Sequence, residues 1–350
     1  MAYAQDTITS ANAANDFAVV VKGLLIDAGW TLVEELTPSG NFRNAVYKSD
    51  GALNECGYDW YVAVMYTTLG TENYVRVIPF ESYDSGTHIA SGFPVVFAED
   101  PSSGSSPGGY KSARANGFLT STTLNMTTVP VGLTMFLCSS NYGSSSNQYN
   151  NAGPGFQTLI PSSAFGYWAS VTLDHVALWT TVAANYQNAV MSTLILDDDY
   201  TALGLFSDSP IVCWTGPSNG TGTTGYFQLS SHLAVGINPT TTEYVAIGAT
   251  FSGVYGAKLP ALSDTYLDAF AWQPLVYLAY MTQGSGAANP TPTTALVGQV
   301  VVGRVPDFLM VWGGSVGDTV EVESATYVLT GAMLNNFSSD KRPTLALLVE

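Results

Sequence analysis

Two serines stand at the spacing of a hydrolase nucleophile. Ser106 lies in Gly104-Ser-Ser106-Pro-Gly108 and Ser315 in Gly313-Gly-Ser315-Val-Gly317, both matching G-x-S-x-G. In that motif a strand turns sharply into a helix, which lifts the hydroxyl toward a histidine base further along the chain. The apolar run Phe308 to Trp312 supplies a strand before Ser315, but the Asp318-Thr-Val-Glu-Val that follows is β-prone, and the last histidine, His232, comes earlier in the chain. Ser106 sits in a Pro/Gly/Ser tract. Neither serine is read as a nucleophile, and no catalytic residue is assigned.

Other chemistry-bearing patterns read the same way. Gly220, Gly222 and Gly225 fit G-x-G-x-x-G, yet a dinucleotide site needs a strand before and a helix after, so that pyrophosphate meets a helix N-terminus. Here Pro-Ser-Asn precedes and Tyr-Phe-Gln-Leu follows, so a loop is expected and no cofactor. Asp197, Asp198 and Asp199 form the densest acidic run. Adjacent carboxylates diverge on an extended backbone, and no calcium-loop pattern surrounds them, so they read as a solvated turn. His88, His175 and His232 lack metal-site spacing, as do Cys56, Cys138 and Cys213. Each histidine reads as a hydrogen-bonded surface or core residue, each cysteine as a reduced buried thiol, and no metal is expected.

Composition narrows the partners. The net charge is −17, from 27 acidic and 10 basic residues, with no basic run. Nucleic acid and anionic membrane both require a basic patch to displace counterions, and neither is expected. Charged residues are only 11% of the chain, against about 25% in soluble domains generally. A surface built from Ser, Thr, Asn, Gly and Tyr is hard to keep monodisperse and fits burial against other subunits. The 42 aromatics (20 Tyr, 15 Phe, 7 Trp) fall mostly at alternating strand positions and read as core. The N-terminus lacks a secretory pattern and no apolar run approaches a membrane span; folding in a cytoplasm is expected.

The elements that must position any site are β-rich. Phe17, Val20, Val21, Leu24 and Leu25 recur at helical spacing between a capping Ser10 and a terminating Gly29. Trp30 to Leu36 follows as a strand. Tyr58 to Thr67 and Tyr74 to Glu81 form a hairpin, so residues 1–98 read as one helix on an antiparallel sheet. Residues 99–116, opening with EDPSSGSSPGG, read as a linker or long loop. Residues 117–270 carry strand candidates at Val129 to Leu137, Trp168 to Thr181, Ala189 to Leu196 and Ile211 to Trp214, separated by polar loops at 139–155 and 217–225. In residues 271–350 the candidates are Leu275 to Met281, Val297 to Val305, Phe308 to Trp312, Thr319 to Val322, Tyr327 to Leu329 and Leu345 to Val349. The spacing predicts sandwich- or barrel-like β domains, the last segment packed with the middle one.

Three segments carry a resemblance. TSANAANDFAVVVKGLLIDAGWTLVEEL at 9–36 is a helix followed by a Gly-Trp-Thr strand. YWASVTLDHVALWTTVAANYQNAVMSTLIL at 167–196 is a strand pair with an Asp-His-Val strand and a Tyr-Gln turn. From Val297 to Glu350 come Gly-Arg-Val-Pro at 303–306, Gly-Asp-Thr at 317–319 and Tyr327-Val328-Leu329. Together they resemble tailed-bacteriophage virion structural proteins of the neck, tail or baseplate. After Leu196 the chain departs from that pattern with Asp197-Asp-Asp-Tyr-Thr-Ala-Leu-Gly, which leaves the place in the particle open. The resemblance implies a non-enzymatic virion component, folded in the host cytoplasm and assembled with copies of itself and other virion proteins. The alternative is a receptor-binding or fibre module whose polar loops contact the host surface. It ranks second because fibrous repeats are missing.

Overall fold

A computed structural model describes residues 1–9, 12–68, 74–91, 95–96, 123–127, 156–159, 164–182, 185–196, 212–215, 227–230, 243–246, 271–283, 296–315, 317–333 and 344–350. The fold is mainly β, with one helix and four antiparallel sheets in this part of the chain.

The helix, α1 (Ala13–Asp27), buries Phe17, Ala18, Val21, Leu24 and Leu25 and leaves Val19 and Ile26 exposed. Ser10 lies outside the described residues, and Asn12 occupies the N-cap. At the other end Gly29 has φ +98°, a left-handed backbone that glycine adopts without a Cβ penalty. Its N–H bonds Ile26 O and the Trp30 N–H bonds Leu25 O, both at 2.9 Å. This doubled closure satisfies the last carbonyls of the helix, and Trp30, 2% exposed, enters the core beside Leu25.

One face of α1 packs on a five-stranded sheet ordered β10 (Phe156–Leu159), β5 (Tyr74–Phe80), β4 (Trp60–Thr67), β3 (Phe42–Ser49) and β2 (Thr31–Leu36). Another meets a seven-stranded sheet ordered β1 (Ala2–Ile8), β11 (Phe165–Val171), β12 (His175–Val182), β13 (Asn185–Thr193), β15 (Val212–Thr215), β16 (Phe227–Ser230) and β8 (Val95–Val96). Phe17 meets Phe165 and Tyr167 edge-to-face, with centroids 5.8 and 5.5 Å apart. Trp60, Val62, Val64 and Tyr66 line the same core. The alternate residues Ala63 and Met65 are equally buried in a second core, under a small sheet of β6 (Ser82–Asp84), β7 (Ile89–Ser91) and β9 (Thr123–Asn125). A covered second face explains why β4 reads apolar at both parities.

Strand pairing crosses the expected boundary near residue 98 at four places among the described residues. β1 pairs with β11, β9 with β7, β10 with β5 and β16 with β8. The Pro/Gly/Ser tract marks a change of composition, but the edges of the early sheets draw their partners from residues beyond it.

The fourth sheet is C-terminal: β17 (Glu243–Ala246), β18 (Ala271–Gln283), β19 (Leu296–Trp312), β22 (Thr344–Leu348), β21 (Ala325–Met333) and β20 (Thr319–Val322), with β14 (Ile195–Leu196) also on β19. Leu309, Val311, Val320, Val322, Leu329 and Ala346 form its own core.

Adjacent charges on β2 are divided between its two faces. Val33 falls in a bulge between the pairs Leu32–Tyr47 and Glu34–Val46, and beyond it Glu34 and Glu35, neighbours on a pleated strand, project to opposite faces. Glu35 accepts from Lys22 Nζ at 2.6 Å and the Tyr66 hydroxyl at 2.9 Å. Glu34 accepts from Tyr83 at 2.5 Å and faces His88 Nδ1 at 2.9 Å. Burial works against both ions of the Lys22–Glu35 pair. Their mutual bond and the Tyr66 hydroxyl outweigh it, holding Lys22 above its ordinary pKa and Glu35 below.

Phe17→Ala is expected to lower stability by about 3–5 kcal/mol, the usual cost of emptying a buried aromatic site. Val19→Ala, at a residue 55% exposed, should stay within about 0.5 kcal/mol. Urea unfolding followed by circular dichroism measures both, and equal effects would contradict the placement of the helix.

Candidate functional site

Polar contacts from distant parts of the chain converge on the turn Thr172-Leu173-Asp174 between β11 and β12. Its backbone carbonyls point into the interior and need donors, because an unpaired buried carbonyl is costly. Trp30 Nε1 donates to Thr172 O at 2.8 Å, and Trp60 Nε1 to Leu173 O at 2.9 Å. Ser49 Oγ donates to the same Leu173 oxygen at 2.7 Å. The two indoles pack edge-to-face at 4.7 Å, so the helix terminus and the start of β4 reach the turn side by side.

Asp174, 5% exposed, is held by fixed donors. The backbone N–H groups of Glu55 and Cys56 reach its carboxylate at 2.8 and 3.2 Å, and Thr193 Oγ1 donates at 2.8 Å. Its own carbonyl accepts from Thr193 N at 2.8 Å. The segment 50–59 that brings Glu55 and Cys56 here closes tightly. A Cβ on Gly51 would lie 2.6 Å from the Tyr58 carbonyl carbon, so only glycine fits.

His175 extends the cluster to the C-terminal sheet. It is fully buried, with Nε2 3.0 Å from Ser170 Oγ and Nδ1 3.2 Å from Asp307 Oδ2. Ser170 Oγ donates to Leu348 O at 2.8 Å. Thr172 Oγ1 accepts from the N–H groups of Asp174 and His175 and donates to Asp307 at 3.2 Å. Thr172 Oγ1 also lies 3.0 Å from His175 Nδ1. The Phe308 ring packs edge-on at 4.9 Å. Asp307 reaches this position through a bulge, since residues 305–308 stand opposite Leu275 alone, and its φ of +66° is left-handed. Strain of this kind persists where surrounding contacts over-determine it.

The order Ser170–His175–Asp307 has the connectivity of a nucleophile, base and orienting acid. Ser170 and His175 have no exposed surface, and the serine proton is committed to Leu348 O, so a substrate carbonyl has no approach. What the set does is join the β11–β12 hairpin to the C-terminal sheet.

The residues singled out by spacing fall elsewhere. Ser315 is exposed in a turn with Gly313, Gly314 and Gly317 at positive φ; its N–H bonds Asp318 Oδ2 at 2.7 Å, and the chain proceeds into β20 without a helix. His88 pairs with Glu34. Cys56 is partly buried, and burial above all pushes its thiol up to about 11. Cys213 falls in β15. Ser106, Cys138, Asp197, Asp198, Asp199, Gly220, Gly222, Gly225 and His232 lie outside the described residues. Among the described residues, no three His, Cys, Asp or Glu side chains are grouped to hold a metal. No helix among them is long and apolar enough to cross a membrane. Ser170, Thr172, Asp174 and Asp307 were not legible as a group. The one local signal is Asp307 itself, a charge interrupting an otherwise apolar strand, which calls for a partner. No protein-family model and no curated protein matches the chain.

Asp174→Ala removes the acceptor of two backbone N–H groups and a hydroxyl. It should cost about 1–3 kcal/mol and speed alkylation of Cys56, whose thiol loses both cover and a neighbouring negative charge. Peptide-mapped labelling rates check this; an unchanged Cys56 rate would mean that Asp174 does not hold the segment.

Proposed function

We propose that this chain is a structural component of a tailed-phage virion, without catalytic activity, assembling in several copies with other virion proteins in the neck, tail or baseplate region. One observation carries the reading: the three segments that resemble such proteins meet at one place. Segment 9–36 supplies Trp30, segment 167–196 supplies the turn with Asp174 and His175, and the C-terminal segment supplies Asp307 and Leu348. Each of the three segments thus contributes to one contact region that joins the sheets.

The surface is consistent with subunit contacts. Val19, Ile26, Leu32 and Leu53 are exposed, Leu53 at 69%, on a chain of which only 11% of residues are charged. The chain is placed in the virion after folding in the host cytoplasm. The receptor-binding alternative rests on loops outside the described residues, and no contact described here favours it.

Mass spectrometry of purified particles should find the chain in a fixed ratio to the other virion proteins, and light scattering of the purified chain should give a defined multiple of 37.0 kDa. Absence from the particles would overturn the proposal. Binding of the labelled chain to host cells would favour the alternative.

A further inference from the structure

The seven-stranded sheet on one side of α1 ends at β1, and among the described residues that strand pairs with β11 alone. An edge strand offers unpaired N–H and C=O groups to any strand that can reach them, and folded chains blunt such edges with bulges, charges or shortness. Two other sheet edges of this chain are blunted in that way. β2 carries the Val33 bulge beside Glu34 and Glu35, and β20 is four residues long with Glu321 exposed. β1 is longer and regular: its seven residues match β11 one to one, from Ala2–Val171 to Ile8–Phe165, with no register shift. It contains neither proline nor lysine, and Asp6 is its one charge. Gln5, Asp6 and Thr7 are exposed.

We propose that β1 pairs antiparallel with β1 of a second copy of this chain, about a twofold axis beside Gln5, and so joins two seven-stranded sheets into one. The inference rests on the assembly of copies in the proposed function, and not on the virion itself. The side chains of β1 select this occupant and this register. A twofold perpendicular to the sheet sets each residue opposite one of the same face, so the axis passes beside a residue rather than between two. Placed at Gln5, it pairs all seven residues: Ala2 with Ile8, Tyr3 with Thr7, Ala4 with Asp6, and Gln5 with its own counterpart.

Each of these pairs is favourable or neutral. Ala2 and Ile8 belong to the core around α1 and Ala4 packs against it, so an apolar row continues across the axis. On the other face Tyr3 Oη donates to Gln5 Oε1 at 3.0 Å, which orients the amide. The two Gln5 amides, each with donors and an acceptor, meet at the axis, and an aromatic ring meets a β-branched residue on either side. The carboxylate of each strand stands opposite an alanine. An axis at Asp6 would set two carboxylates against each other, which is unfavourable, and an axis at Ala4 would leave Thr7 and Ile8 without partners in the strand.

Light scattering of the purified full chain should give a mass that rises with concentration from 37.0 kDa toward twice that value. Gln5→Lys sets two ammonium groups opposite each other and should lower the dimer fraction severalfold, whereas Val33→Lys on the blunted β2 edge should leave it unchanged. Cross-linking reads the register. Directly opposite residues of an antiparallel pair have Cα atoms about 4.5–5.5 Å apart, within disulfide reach. Gln5→Cys should therefore oxidise to a covalent dimer above the level of the wild-type chain, with its own Cys56, Cys138 and Cys213. Thr7→Cys should not, because the axis sets the two copies of position 7 four residues apart along the strands. A monomer at every concentration overturns the proposal, as does a multimer that Gln5→Lys leaves intact or that Gln5→Cys does not link. Should the variants not fold, hydrogen exchange of the wild-type chain decides: alternate β1 amides slow as concentration rises, and unchanged β1 exchange overturns the pairing. Any of these failures leaves the particle test of the proposed function standing, and absence from particles leaves this dimer standing.

Discussion

A turn without glycine or proline, carried into the interior with its carbonyls unsatisfied by any ladder, sets the terms for the rest of this molecule. Thr172 O and Leu173 O face the interior and must be given donors from other elements. The donors are two indoles and a serine, from three different parts of the first sixty residues. Each is aimed by a local device. The Gly29 closure directs Trp30 inward, and the start of β4 directs Trp60. The turn's own side chains then reach outward, Asp174 to the 50–59 segment and His175 to the C-terminal sheet. Apolar packing around α1 supplies cohesion, while these directional bonds fix how the elements are oriented.

Charge is used sparingly, and where it is used it is placed. Glu34 and Glu35 are neighbours in sequence, and the pleat of β2 sends one to Tyr83 and His88 and the other to Lys22 and Tyr66. Asp174 reaches outward from the turn and Asp307 reaches in from the C-terminal sheet, and each is met by donors rather than by the other. In a chain with ten basic residues, backbone N–H groups, hydroxyls and imidazoles do much of the work that lysine and arginine do elsewhere.

Much of the local structure was legible from residue pattern. The apolar spacing of α1, its Gly29 stop, the β4–β5 hairpin and Thr319 to Val322 agree with the structure. Where reading and structure part, a local signal was outweighed. Trp168 to Thr181 reads as one strand because Leu173 continues the apolar run; the break comes from the Thr172 hydroxyl capturing the N–H groups of Asp174 and His175. Val297 to Val305 and Phe308 to Trp312 read as two strands because Pro306-Asp307 interrupts them, whereas the structure passes through the interruption as a bulge. β1 and β3 carry alternation too mixed with polar residues to announce themselves. The cluster at the turn was invisible for a different reason: Ser170 and Asp307 are brought together by sheet packing, and no spacing rule spans that separation.

The pairing of β1 with β11 bears on how the chain is made. On the ribosome, the first strand is synthesised some 160 residues before its partner. Until the Phe165–Val171 segment emerges, the α1 face that carries Phe17 has only half its cover, and the open edge of β5 still awaits Phe156–Leu159. Non-local closure of this kind slows folding and prolongs exposure of apolar surface. Nearly half of the chain is therefore made before these strands can pair, and the N-terminal unit matures only together with the middle of the protein.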